Sequence, residues 1–452
     1  MRSRTILKQV LPFAASFPEA TASCKRAALL FPSARAVIRA VAADADAAIT
    51  RVGPGMPTRR SPLYLIFLTV FIDLVGFGIV IPVLPLYAKH FGATEMDNGW
   101  LVGIYSAMQF LAAPLLGKLS DRVGRRPVLL VSLIGTAVGF FIMGGARTLL
   151  WLFIARIIDG ISGGNISTAQ AYIADVTKPE ERSKAMGMIG AAFGLGFVFG
   201  PAIGGVLAQI SISAPFYFAG ALAAVNAVLV YWRLPESLSR EHRVSPENAA
   251  TLREVFQHGW HLPILLGSYF FAITGFSIMT TNFALFTSER FGYDARHNGY
   301  IFAFIGVVGA LMQGGVLRRI LKIYREKEIA VAGCIALALG LALLPLSEGL
   351  SSLLVFTAIV GIGNSLITPT LNGLASQSAD RQWQGRVIGL MQSAGSLARW
   401  VGPLLAGWLL AKDAHNPHRL YGQTPFWAAA AILIVALLFT LRLPRIPVKA
   451  ES

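Results

Sequence analysis

Charged side chains are scarce in this chain. Only 14% of its 452 residues are Asp, Glu, Lys or Arg, where a water-facing protein of that length carries about a quarter. So little polar surface cannot cover a soluble globule, and that class is excluded. Cysteine is nearly absent: Cys24 and Cys334 stand far apart, which leaves no disulfide framework and no thiolate metal cluster. Histidine is rare and HExxH does not occur, and the GxSxG match at Gly160–Gly164 lies in an apolar run rather than at a strand-to-helix turn. No metal, cofactor or catalytic apparatus is therefore expected, which argues against an enzyme. Acids are outnumbered, 23 against 39 basic residues, for a net charge of +16. In a soluble chain that excess would suggest nucleic acid. In a membrane chain its location matters instead, and no nucleic-acid partner is expected.

What the chain has in quantity is apolar sequence, 55% of the whole. It is arranged in runs of about 20 residues, the length that crosses a bilayer as helix. Twelve candidate spans are read at 63–87, 100–117, 127–145, 149–174, 185–208, 214–232, 261–286, 298–317, 328–347, 350–374, 386–411 and 424–442. Helix is the only open-ended structure that pairs its backbone in lipid, so the fold class is an all-α membrane protein. Glycine and proline inside the spans do not argue against this in that solvent.

The loops between spans are not alike. Alternate links hold 21 Lys and Arg, beginning with Lys118, Arg122, Arg125 and Arg126, whereas the opposite set holds six: Lys89, Arg147, Arg290, Arg296, Lys412 and Arg419. Basic loops stay cytoplasmic, so both termini and the polar stretch 234–258 are expected inside.

A repeat divides the chain. "FGATEMDNGW" at 91–100 returns as "FGYDARHNGY" at 291–300, and "GPAIGG" at 200–205 returns as "GPLLAG" at 402–407. The basic link at 117–127 falls on a second basic link at 317–327, which lacks the glycines and the acid of the first and has Leu317, Leu321 and Tyr324 in those places. Two similar halves of six spans are the signature of a repeat-built transporter. The expected organisation is an extension at 1–61, a first half at 62–233, a linker at 234–259, a second half at 260–443 and a tail at 444–452. The extension is Ala-, Ser- and Arg-rich without a span; it reads either as a transit-type segment or as an overextended start ahead of Met56.

Three stretches carry specific pattern. In "GKLSDRVGRRP" at 117–127, Gly117 and Asp121 share one helix face, Gly124 breaks the chain, and Asp121 can pair with Arg125. A plain topology anchor needs Arg122, Arg125 and Arg126 but not the acid or the glycines. In "GFVFGPAIGG" at 196–205, Gly196, Gly200 and Gly204 form a stripe, with Gly205 beside it and Pro201 bending the helix. "RIIDGISGG" at 156–164 puts Arg156 and Asp159 three apart, close enough to pair.

Together with "DLVGFGIVIPVLP" at 73–85, these stretches resemble the helix 2–3 loop signature, the helix-4 and helix-5 motifs and the first helix of the major facilitator superfamily, in its twelve-helix drug:proton antiporter branch near the tetracycline exporters. The resemblance covers about residues 62–442. It implies two pseudo-symmetric six-helix halves. It also implies that residues 117–126 latch the cytoplasmic side against the start of helix 11 near Gly385 and Arg386, and that helix 5 slides as the halves rock. The tetracycline group carries a histidine in helix 8 and an acid in helix 9; here the interiors of those spans have neither, and Glu328 lies at an edge. The helix-4 motif usually has glutamine where this chain has Asp159.

Four ionisable residues fall well inside spans: Asp73, Arg156, Asp159 and Arg399. Each is costly in hydrocarbon and so should face a cavity or a partner. Arg399 could be a counter-ion for either aspartate or an anion site. Gln109 and Asn282 are polar candidates for the same pathway. The expected activity is a proton-coupled antiporter exporting small amphipathic or cationic compounds, with a sugar or other metabolite exporter as the alternative and a non-transporting receptor as the reading from another class. The expected partners are substrate, protons and lipid, for a monomer in a bacterial inner membrane. The loop asymmetry makes one outcome testable. A cysteine placed at Ser245 should resist a membrane-impermeant maleimide added to intact cells, and labelling there would reverse the orientation.

Overall fold

The computed structural model describes residues 61–177, 179–238, 261–378, 384–416 and 420–443. The expected extension up to residue 60, most of the linker and the tail lie outside the described residues. Helix occupies every expected span: α1 (Ser61–His90), α2 (Glu95–Val123), α3 (Arg125–Gly144), α4 (Leu149–Val176), α5 (Pro179–Leu207), α6 (Ala214–Arg233), α7 (His261–Phe291), α8 (Ala295–Ile320), α9 (Glu326–Leu346), α10 (Leu350–Gln377), α11 (Gln384–Ala414) and α12 (Gln423–Leu441). Among the described residues, eleven of these meet the length and hydropathy of a membrane span. The twelfth, α11, is 31 residues long but carries Gln392, Ser393, Ser396 and Arg399 along its middle. Its polarity marks a helix facing a partner rather than lipid.

The two halves pack by the same plan. In the first, α1 lies against α5 and α6, and α3 against α4 and α6; in the second, α7 lies against α11 and α12, and α9 against α10 and α12. Each half has its own apolar core, around Leu129, Leu133 and Tyr172 or Ile79 and Phe216 in the first, and around Phe283, Leu337 and Phe426 in the second. Helix α4 is interrupted at Gly163 and Gly164, between Leu149–Ser162 and Asn165–Val176. Helix α8 loosens into a π-helical turn at Met312–Val316; the matching turn of α2 contains Pro114.

The halves meet along α2 with α11, α5 with α8, and α1 with α7. Two close crossings make the seam. A β-carbon on Gly99 would lie 2.5 Å from the Pro403 carbonyl oxygen and 3.2 Å from Cα of Gly407. A β-carbon on Gly299 would lie 2.4 Å from the Pro201 carbonyl oxygen and 2.9 Å from Cα of Gly205. Gly99 and Gly299 are the repeated glycines of one sequence pair, and Gly205 and Gly407 those of the other, so the repeats mark symmetry-related contacts. Small residues let the backbones touch where lipid offers no hydrophobic drive to association.

These crossings lie toward the end poor in basic residues. Four polar ties join the halves at that end. Lys89 pairs with Glu289 at 3.2 Å, the Asn98 amide donates to the Thr281 carbonyl at 3.3 Å, the Gln209 amide donates to Asp294 at 3.0 Å, and the Tyr421 hydroxyl donates to Glu95 at 3.4 Å. Partial burial pushes the Asp294 carboxyl up, but hydrogen bonds from the His297 backbone and ring and from Gln209 overcome this and hold it below the usual carboxylate range. That tie is therefore charged at neutral pH. Toward the basic end, Gly117, Gly190, Gly314 and Gly389 on the same four helices have nothing within 4 Å of a β-carbon. Among the described residues, the seam is tight at one end and loose at the other.

The crossing geometry predicts a conformational shift. Gly99→Val drives a branched side chain into the Pro403 carbonyl and should part the tight end. The check is the distance between spin labels at Arg147→Cys and Lys412→Cys, both exposed, in a chain without Cys24 and Cys334. Gly99→Val should lengthen it and Gly389→Ala should not; an unchanged distance in Gly99→Val would remove the crossing from its assigned role.

Candidate functional site

The interior ionisable residues of the first half form one cluster. Arg156 on α4 is 2% exposed and Asp159 5%, and the two pair at 3.3 Å. The same guanidinium donates through Nε to the Leu101 carbonyl at 3.1 Å and lies over the Tyr105 ring, 4.3 Å from its centroid. Arg156 is thus held by an anion, a carbonyl and a π-face. Thr136 on α3 stands beside the Asp159 carboxyl. Asp73 on α1 lies beside Asn165 and within electrostatic reach of Asp159. Asp73 is half-buried, so solvent reaches it, and its carboxyl makes no ion pair among the described residues.

Local backbone explains why these groups converge. A β-carbon on Gly160 would lie 2.6 Å from the Tyr105 carbonyl oxygen, and one on Gly164 would lie 2.7 Å from the Leu116 side chain. The glycines of "DGISGG" therefore let α2 press against the interruption in α4. Gln109 donates to the Gly163 carbonyl at 2.7 Å, occupying an acceptor at that interruption, and reaches the Tyr105 hydroxyl at 3.5 Å. Asn282 is placed differently. It is fully buried, and its amide donates to the Ala406 carbonyl at 3.1 Å, tying α7 to α11. Arg399 comes from the second half, half-buried at mid-α11, with one hydrogen bond to Ser396 Oγ at 3.2 Å and the Tyr105 hydroxyl within electrostatic reach.

The stripe on α5 also has a definite neighbour. β-Carbons on Gly196, Gly200 and Gly204 would strike Leu74, the Val75 carbonyl and the Ile79 carbonyl, all on α1. That stripe fastens α5 within its own half. The face turned to α8 is the neighbouring row: Phe197, whose backbone meets Gly306, then Pro201 and Gly205, which meet Gly299.

Two six-helix halves, a charged cluster inside the first and small-residue crossings at one end of their seam describe a transporter architecture. The model of the Major Facilitator Superfamily matches residues 66–403. The chain belongs to that superfamily. It is 34% identical to the tetracycline resistance protein, class C, of Escherichia coli over 395 residues, covering 85% of this chain and 96% of the relative. It is 29% identical to the quinolone resistance protein NorA of Staphylococcus aureus (strain MRSA252), covering 82% and 95%. Among solved structures, the human organic anion transporter MFSD10 (TETRAN) superposes with a TM-score of 0.64 at 26% identity, covering 85% of this chain and all of that one. As a major facilitator the chain is a multi-pass membrane transporter, not an enzyme and not a receptor without transport.

The superfamily's loop signature, between α2 and α3, is held almost wholly from within the first half. Asp121 pairs with Arg125 at 2.6 Å, and Arg125 Nε reaches Asp175 at the end of α4 at 3.1 Å. Arg125 also donates to Ser120 Oγ at 2.6 Å. Arg126 donates to the Tyr231 carbonyl and stacks on that ring. Gly124 has φ +117°, a conformation that strongly favours glycine. Arg122 is exposed.

Sequence reasoning missed the acid that organises this loop. Glu236, just past α6, accepts from the backbone N–H groups of Arg125 at 2.8 Å, Arg126 at 3.2 Å, Ser237 at 3.0 Å and Leu238 at 3.2 Å. It stands at the N-terminus of α3, where Gly124 offers no side chain to cap the helix and a negative charge suits the dipole. The available signal was that uncapped start; nothing in the sequence said which acid would reach it. Glu236→Gln should lower the thermal midpoint of the purified protein more than Asp121→Asn does, by roughly 1–3 kcal/mol of stability, because the side-chain amide has one acceptor oxygen where the carboxylate has two. Equal melting shifts would deny Glu236 this role.

Proposed function

We propose that the chain is a proton-coupled antiporter that exports small amphipathic compounds by alternating access. One observation carries the reading: Asp73 and Asp159, the two carboxylates inside spans, lie within electrostatic reach of each other, while span interiors contain neither lysine nor histidine. A coupled transporter needs a group that binds a proton in one state and releases it in the other. Substrate binding to one of two interacting carboxylates changes proton affinity at the other, which is the linkage that exchange requires. Asp159, tied to Arg156, is the proton-facing member; half-buried Asp73 is the substrate-facing one.

The basic end is cytoplasmic in this reading, by the excess of Lys and Arg there. Both termini lie inside, and the described state is open inward. The chain works as a monomer, and its place is a bacterial inner membrane, as its bacterial relatives suggest. When the inner end closes, the α2–α3 loop docks on the start of α11. Asp121 then gives up Arg125, and α5 moves against α8 along Phe197, Pro201 and Gly205. The names of its relatives make tetracycline a sensible first probe, but the interiors of α8 and α9 lack the histidine and acid expected of tetracycline carriers, so the substrate class is set by the cavity.

The test is flux in proteoliposomes under an imposed pH gradient. Asp159→Asn should reduce uphill accumulation of a transported dye to the level of protein-free vesicles while leaving exchange down a dye gradient. Asp73→Asn should weaken dye binding. Uphill pumping by the double Asp→Asn variant would sink the coupling assignment.

A further inference from the structure

Arg399 is an interior cation without an anion. No carboxylate lies within ion-pairing distance of it among the described residues, and its one hydrogen bond is to Ser396 on its own helix. A guanidinium carries five N–H donors in a planar fork, so most of this one is uncommitted. Arg156 is held quite differently in the same protein, by an ion pair, a backbone carbonyl and an aromatic face. An unpaired guanidinium within a span is costly and marks a function by default.

Three features make the position look built rather than incidental. The fold does not require a cation there, because the pseudo-symmetric residue on α5 is Phe197, packed edge-on against Phe77 with ring centroids 6.1 Å apart. Room has been left for the group: a β-carbon on Gly395 would stand 3.3 Å from Arg399 Nη1 and 2.9 Å from the Tyr269 ring. And the guanidinium is half-buried, within reach of solvent and, electrostatically, of Tyr105 on the opposite half. The N-terminal wall thus offers the unpaired carboxyl of Asp73 and the C-terminal wall the unpaired fork of Arg399.

We propose that Arg399 is the anion site of the substrate path. The transported compounds carry a carboxylate or a comparably delocalised oxyanion that this fork receives, so the preferred class is amphipathic zwitterions and acids rather than permanent cations. The assignment rests on reading the space between the halves as that path. It specifies the charge of the cargo, which the proton-coupling proposal leaves open.

Rhodamine 110 and its methyl ester, rhodamine 123, form a matched pair that differs in one carboxylate. Their affinities for the purified protein at neutral pH, measured by fluorescence anisotropy without any gradient, test the proposal. The acid should bind ~10- to 100-fold more tightly than the ester, the range of a hydrogen bond to a charged group. Arg399→Ala and Arg399→Gln should erase the preference, and Arg399→Lys should keep part of it, having the charge without the fork. Two charge-removing variants of different size keep the experiment decisive if one fails to fold. Equal affinities in the unmodified protein overturn the assignment, as an anion drawn from buffer or lipid would produce. So does a preference that survives Arg399→Ala, or failure to bind either dye. Because no pumping is involved, these outcomes stand apart from the pH-gradient flux that judges proton coupling.

Discussion

Two backbone-to-backbone contacts govern the rest of the molecule: Gly99 against Pro403 and Gly407, and Gly299 against Pro201 and Gly205. In hydrocarbon, apolar side chains gain nothing from leaving lipid for another helix, so association rests on close packing and polar pairing. Glycine at both partners brings α2 onto α11 and α5 onto α8 at one end of the seam. The interior groups can then face one another further along. The polar ties around the crossings add less, since Lys89 and Glu289 are each about half exposed and exposed pairs contribute ~0–1 kcal/mol. The tight end is held by shape.

Charge is divided unequally between the halves. The first holds a cluster in which Arg156 is paired and two acids share one environment; the second contributes a single arginine. In the proposed reading, acids on one half and a cation on the other suit a ligand that carries both signs. Arg399 and its polar neighbours also make α11 the least lipid-like of the twelve helices, and it falls short of the hydropathy that the other eleven reach.

The spans, their number and the two-half plan were legible because each rests on a coarse signal: length, apolarity and a repeat in register. The "GKLSDRVGRR" loop was legible as a charged, glycine-broken link, and its Asp121–Arg125 pair followed from four-residue spacing. Which face of a helix meets which neighbour was not legible. These helices are apolar nearly all round, so no stripe of polar residues points away from the core, and α5 carries two rows of close-packing residues side by side. The row at Gly196, Gly200 and Gly204 drew attention by its regularity, yet it fastens α5 to α1; the row that meets the other half mixes Phe197, Pro201 and Gly205. Glu236 was missed for a different reason. Its partners on α3 are backbone N–H groups more than a hundred residues away, and no side-chain pattern announces a backbone donor. Asn282 read as a pathway residue because an amide in a span looks functional, but a single helix–helix hydrogen bond gives it a use.

Pro114 in α2 and the loosened turn in α8 stand at equivalent places but differ in kind. Pro114 deletes one amide donor from an otherwise regular helix. The π turn at Met312–Val316 keeps its donors and widens the ring they close, around Gly314 and Gly315. Proline fixes its own torsion, whereas two adjacent glycines leave theirs free. The two halves are therefore alike in outline and unequal in stiffness: the arm that carries the acid-bearing loop is sprung, and its twin is slack.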